Sequence, residues 1–223
     1  MRDTEWVPFN IMEPFVLDVF KSMGVPQMDA EICKNVLLDA DLKGLDTHGV
    51  NRLKPVYYDR VLDGRQKPVT ELELIREGPT TAVFDAHNGM GMVASHKAME
   101  TAIAKAKEYG MGMVVVRNST HFGIAGYYAE MASKQGVLGI SGTNARPSIA
   151  PTFGVEPMLG TNPLTFSFPT DEDFPFTLDC ATSIIQRGKV EVAARNGKQL
   201  PQGVVTDEKG GSMIDPEETL NAL

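Results

Sequence analysis

The run 81-TAVFDAHNGMGMVASHKAMETAIAKAKEYGMGMVVV-116 decides the fold class, because its hydrophobic period changes twice. Thr81 to Phe84 reads as a short strand. From about Val93 to Tyr109 the small residues Ala94, Ala98, Ala102 and Ala106 recur every fourth position, the spacing of one helix face that allows close packing. Gly110 ends that helix. Met111 to Val116 is then continuously apolar, the pattern of a strand buried on both faces in an α/β protein. Just upstream, Leu72, Leu74 and Ile75 give another strand, separated from the next by Gly78-Pro79.

Ahead of this strand-helix-strand unit the pattern is helical. Apolar residues at helical spacing run from Phe9 to Met23 and stop at Gly24, with Pro26 beyond. A second helix is expected from about Asp29 to Gly44, and a third from Arg52 to Leu62, closed by Asp63-Gly64. After the decisive run, 118-NSTHFGIAGYYAEMASKQG-136 is a histidine-bearing loop leading into a helix of about ten residues. Strands are expected at Val137 to Ser141, Leu164 to Phe168 and Phe176 to Leu178, and a helix from Ser183 to Ala194. The irregular stretch Thr143 to Gly160 is too long for an ordinary connection and reads as a binding segment. The expected architecture is a helical lobe over residues 1–70 and a mixed α/β domain over 71–223.

The 223 residues are 42% apolar and carry a net charge of −8, enough to build a core and unsuited to a nucleic acid or an anionic membrane surface. Cys33 and Cys180 are far apart and outside any CxxC pair, which argues against a metal site and for a reducing compartment. The amino terminus MRDTEWVPFN lacks a signal-peptide core, and no apolar run is long enough to span a bilayer. A cytoplasmic protein is expected.

Three stretches carry chemistry. In 45-LDTHGVNRL-53 an imidazole, His48, and a guanidinium, Arg52, lie four residues apart. The first can move a proton and the second can fork a planar carboxylate. His121 likewise sits in a loop among small and hydroxyl residues, whereas His87 and His96 read as structural. The turn Gly89 to Ala94 fits the dinucleotide pattern GxGxxG/A, but the strand that should end in an acidic residue ends in Arg117-Asn118, so close packing is the preferred reading and a Rossmann site using Arg117 the competing one. Asp179, Thr182 and Ser183 are expected near the start of a helix, either as caps or as hosts for an anionic cofactor group.

Together, DTHGVNRL, NSTHFGIAGYY, GTNPLTFSFP and LDCATSIIQRGKV, in this order, resemble the type-2 malate/L-lactate dehydrogenase family from about residue 7 onward. The resemblance implies a non-Rossmann α/β fold, a homodimer, and interconversion of small 2-hydroxy and 2-keto acids, malate and oxaloacetate foremost, with NAD or NADP. It implies acid/base roles for His48 and His121 without choosing between them, and carboxylate binding by Arg52. It also implies cofactor contacts from Asn144, Ala145, Asp179, Cys180, Ala181, Thr182 and Ser183, with no metal. The family's tyrosine eight residues after His48 is replaced by Val56, which leaves Tyr57 as the substrate-contact candidate. Family members continue beyond this length, so the α/β domain is expected to be truncated at its carboxy-terminal end. The alternative is a catalytically silent binding or assembly module.

Overall fold

A computed structural model describes residues 6–222; the MRDTE segment, expected to carry no signal, lies outside them. The chain divides into two compact units.

The first unit comprises Val7–Ser141 and Phe166–Leu178. It begins with α1 (Phe9–Ser22) and α2 (Gln27–Leu42), each entered from a proline at the N-cap, Pro8 and Pro26, whose fixed φ starts the helix. Gly24, at φ +88°, turns the chain between them, and Val25 N–H returns to the Phe20 carbonyl. The inner faces are apolar: Val16 and Phe20 from α1 meet Ala30, Cys33, Val36 and Leu37 from α2. Full burial of one such large side chain contributes about 1.5–3 kcal/mol. A short 3₁₀ turn (Val50–Arg52), a π-helix (Leu53–Tyr58) and α3 (Asp59–Leu62) occupy the expected third helix.

β1 (Glu73–Glu77) pairs antiparallel with β2 (Thr81–Asp85), with a register shift between Leu74 and Arg76. β3 (Met113–Arg117) pairs parallel with β2, from Thr81 opposite Met113 to Asp85 opposite Arg117. The crossover is α4 (Gly91–Tyr109), so the decisive run does form a βαβ unit. One expectation fails. β3 is not buried on both faces, since Met113 and Val115 are 54% and 48% exposed. β3 is the last strand in the order β1-β2-β3, and a continuous apolar run cannot distinguish an edge strand from a central one. α5 (Ala125–Ser133) follows the His121 loop.

A second sheet, in the order β4 (Gly139–Gly142), β5 (Leu164–Phe168), β6 (Phe176–Cys180), carries the chain between units, whose division falls inside all three strands. The second unit holds residue 6, Gly142–Thr165 and 179–222 among the described residues. Its helices are α6 (Arg187–Arg195) and α7 (Pro216–Ala222). α6 begins four residues later than expected, because Thr182 and Ser183 bond to carbonyls of Thr161, Asn162 and Ile185 and are held in a loop. Thr182 and Ser183 therefore do not stand at a helix N-terminus. α7 lacks a long apolar period and escaped the sequence reading. No helix among the described residues is long and apolar enough to cross a membrane.

Candidate active site

In the first unit, the loop after α2 is organised by two short side chains. The Asp41 carboxylate accepts the Val50 N–H at 2.8 Å and lies so close to Gly49 that a Cβ there would collide with it, which explains the glycine after His48. Burial raises the pKa of Asp41. Thr47 is buried and works at both ends: its hydroxyl lies 2.7 Å from His48 Nδ1, and its carbonyl accepts the Arg52 Nε–H at 2.6 Å. One residue thus contacts both the imidazole and the guanidinium.

Tyr57 reaches this site through an irregularity. Pro55 has no N–H, and the chain from Leu53 to Tyr58 widens to i→i+5 bonding, seen in Asp59 N–H to Lys54 carbonyl. Tyr57 is 0% exposed, and its hydroxyl lies 2.7 Å from His121 Nδ1. Burial raises its phenol pKa well above the ordinary value.

His121 hangs from a loop tied to the glycine-rich turn. Thr120 Oγ1 donates to the Gly89 carbonyl at 2.8 Å and accepts the Gly91 N–H at 3.0 Å. A Cβ on Gly91 would strike the carbonyls of Thr120 and His121, and one on Gly89 would press on Thr70. The GxGxxA turn therefore serves close packing beneath the histidine loop. Its supposed phosphate partner, Arg117, donates to buried Asp85 at 2.8 Å. Gly123, at φ +78° and against Val36, closes the loop and donates its N–H to His121 Nδ1 at 3.3 Å. The His121 and His48 rings stack at 5.9 Å with planes 22° apart, and Tyr57 meets His121 edge-on at 5.7 Å. Burial, then the charges of His48, Arg60 and Arg52, depress the His121 pKa to about 3. His121 is only half-buried by surface area, but its ring is enclosed strongly enough for desolvation to dominate, so it is neutral near pH 7. Thr47, Gly123 and Asp41 carry roles beyond those the sequence assigns: the hydroxyl and glycine flanking each histidine are a signal for Thr47 and Gly123, while Asp41, inside α2, has none.

In the second unit, Asn162 gathers the expected cofactor residues. Its side-chain carbonyl accepts the Ala145 N–H at 2.9 Å, and its backbone carbonyl accepts the Thr182 hydroxyl at 3.0 Å. Thr182 N–H adds a bond to the Thr161 carbonyl. Gly160 lets the chain pass the Ala145 carbonyl, where a Cβ would not fit. Asn144 and Ala145 are thereby joined to the segment Asp179 to Ser183. Asp179 accepts the Thr165 hydroxyl at 2.7 Å, and Cys180 is an exposed free thiol. Asn144, Asp179 and Thr182 are exposed on this patch, a hydrogen-bonding platform with close backbone approach that suits a polar, extended cofactor. His87 is engaged by Glu73 at 2.7 Å and His96 lies near Glu100 at 3.4 Å, both away from the stacked pair in sequence and partners.

The first unit thus holds two stacked imidazoles, His48 and His121, together with Arg52, whose Nε–H is bonded to the Thr47 carbonyl. Residues 7–223 match the model of the Malate/L-lactate dehydrogenase family, and the chain belongs to that family. It is 45% identical over 215 residues to a malate dehydrogenase of Pyrococcus horikoshii, covering 96% of this chain and 59% of that protein. It is 44% identical over 205 residues to an L-sulfolactate dehydrogenase of Methanocaldococcus jannaschii, covering 92% and 59%. The crystal structure of malate dehydrogenase from Entamoeba histolytica superposes with a TM-score of 0.96 at 46% identity, covering 98% of this chain and 61% of that one. The chain thus spans about three fifths of the length of these relatives.

Proposed function

We propose that the protein is an oxidoreductase that interconverts a small 2-hydroxy acid and its 2-keto acid, malate and oxaloacetate in the first instance, using NAD or NADP. The observation that carries this reading is Thr47, which holds His48 by its hydroxyl and Arg52 by its carbonyl, with His121 stacked on His48. Arg52 grips the 1-carboxylate and fixes the reacting carbon in one orientation. The histidine pair serves the oxygen on that carbon, where a proton must arrive on reduction and leave on oxidation. Asn144, Ala145, Asp179, Cys180, Ala181, Thr182 and Ser183 hold the cofactor. When bound, the nicotinamide supplies or accepts the hydride.

Malate as substrate is supported by the relatives, two of which are named a malate dehydrogenase and an L-sulfolactate dehydrogenase. We assign residues 1–70 to substrate binding and dimer assembly and residues 71–223 to the cofactor, with His121 as their contribution to the substrate, in a cytoplasmic homodimer; exposed Met113 and Val115 favour association. The test is a panel of 2-keto acids assayed by NADH and NADPH oxidation. Turnover of oxaloacetate above pyruvate is expected, and no turnover of any 2-keto acid with either cofactor defeats the reading.

A further inference from the structure

The two histidines are not equivalent, and the difference lies in what meets Nδ1 of His121. Tyr57 is fully buried, so its hydroxyl proton needs an acceptor, and His121 Nδ1 at 2.7 Å is the acceptor placed for it. The Gly123 N–H, which can only donate, points at the same nitrogen from 3.3 Å. Two donors converging on Nδ1 require a lone pair there. A neutral imidazole with its lone pair on Nδ1 carries its proton on Nε2. At His48 the Thr47 hydroxyl, 2.7 Å from Nδ1, can donate or accept, so this contact by itself imposes no tautomer.

We propose that Tyr57 and the Gly123 N–H lock His121 as the Nε2–H tautomer, so that His121 is a hydrogen-bond donor to the substrate oxygen while His48 alone carries the proton. Tyr57 is then a positioning residue that acts through His121. The inference rests on the dehydrogenase reading for its chemistry, but the tautomer itself does not. In the oxidative direction the hydroxyl proton passes to the His48 imidazole as hydride leaves the same carbon for the nicotinamide. His121 donates to the oxygen throughout and exchanges no proton. In reduction the His48 imidazolium returns the proton to the oxygen. The depressed basicity of His121 accords with this division, since a ring that stays neutral cannot be the imidazolium donor.

The first test needs neither substrate nor cofactor. ¹⁵N NMR of the protein labelled in its histidine rings distinguishes a protonated from an unprotonated ring nitrogen. A single Nε2–H form is expected for His121, and the Tyr57→Phe variant, which keeps only the longer 3.3 Å Gly123 contact, should admit a fraction of the Nδ1–H form at His121 and leave His48 unchanged. An Nδ1–H ring in the wild type overturns the proposal, and that spectrum decides the matter even where Tyr57→Phe does not fold. The second test is kinetic. His121→Gln keeps an N–H at similar reach but cannot carry a proton, so its kcat should stay within about tenfold of wild type, against a loss of about 10²–10³-fold for His121→Ala. Tyr57→Phe should lower kcat with little change in KM. His48→Gln should fall by about 10²–10⁴-fold and lose the pH-dependent limb. Equal losses for His121→Gln and His121→Ala would overturn the assignment. A wild type that reduces no 2-keto acid defeats the dehydrogenase reading and leaves the tautomer to the spectrum.

Discussion

Acid should destabilise this protein through His121, and the size of the effect follows from the ring's surroundings. Enclosed by Tyr57, stacked on His48 and near Arg52 and Arg60, His121 has its pKa lowered from 6.5 to about 3. In the unfolded chain the same ring protonates near 6.5. Between those values the unfolded state binds the extra proton, so stability falls as pH falls below 6.5 and stops falling near 3. Each pH unit in that window removes about 1.4 kcal/mol, so going from about pH 7 to about pH 5 removes roughly 2 kcal/mol over the roughly 1.5 units below 6.5. The assay is urea unfolding of the wild type and of His121→Gln at a series of pH values. The wild type should lose stability on the acid side more steeply than the variant, by about that amount at pH 5. Identical acid slopes in the two proteins would refute the reasoning, because every other titrating group is common to both.

Two further outcomes test the surrounding architecture. Gly91→Ala drives a methyl into the carbonyls of Thr120 and His121 and should cost about 1–3 kcal/mol in a denaturant melt, with cofactor affinity of the folded fraction retained; a stable variant that has lost cofactor binding would restore the Rossmann reading. Thr47→Val removes the hydroxyl beside His48 while keeping shape, and kcat/KM should fall about tenfold for a lost contact of about 1–1.5 kcal/mol; unchanged kinetics would remove Thr47 from the site.

Much of this was legible in the chain. The alanine stripe and its terminating Gly110 located α4, and the alternation of strand and helix placed β2 and β3 around it. His48 and Arg52 announced themselves because their chemistries are uncommon and close in sequence. What the sequence withheld depends on contacts distant along the chain. The Tyr57–His121 bond joins residues 64 positions apart, and nothing in LKPVYY marks the turn as a π-helix except a proline that an α-helical start would also tolerate. The exposed face of β3 escaped because hydrophobicity records composition and says nothing of what lies opposite. The late start of α6 escaped because caps and loop anchors use the same hydroxyl residues, and only the carbonyls of Thr161 and Asn162 decide between them. Asn162, the hub of the cofactor patch, lay inside a recognisable motif, but its left-handed backbone at φ +39° and its bond to Ala145 required coordinates.

In the proposed reaction a hydride arrives at the carbon held by Arg52. Incubating the protein with oxaloacetate and a reduced nicotinamide cofactor bearing deuterium on the transferable face of C4 tests it directly by mass spectrometry of the product. Malate with a single deuterium at C2 is expected for the wild type, strongly diminished in Arg52→Lys because the guanidinium fork is lost. Unlabelled malate, or no reduced product from any 2-keto acid, would contradict it.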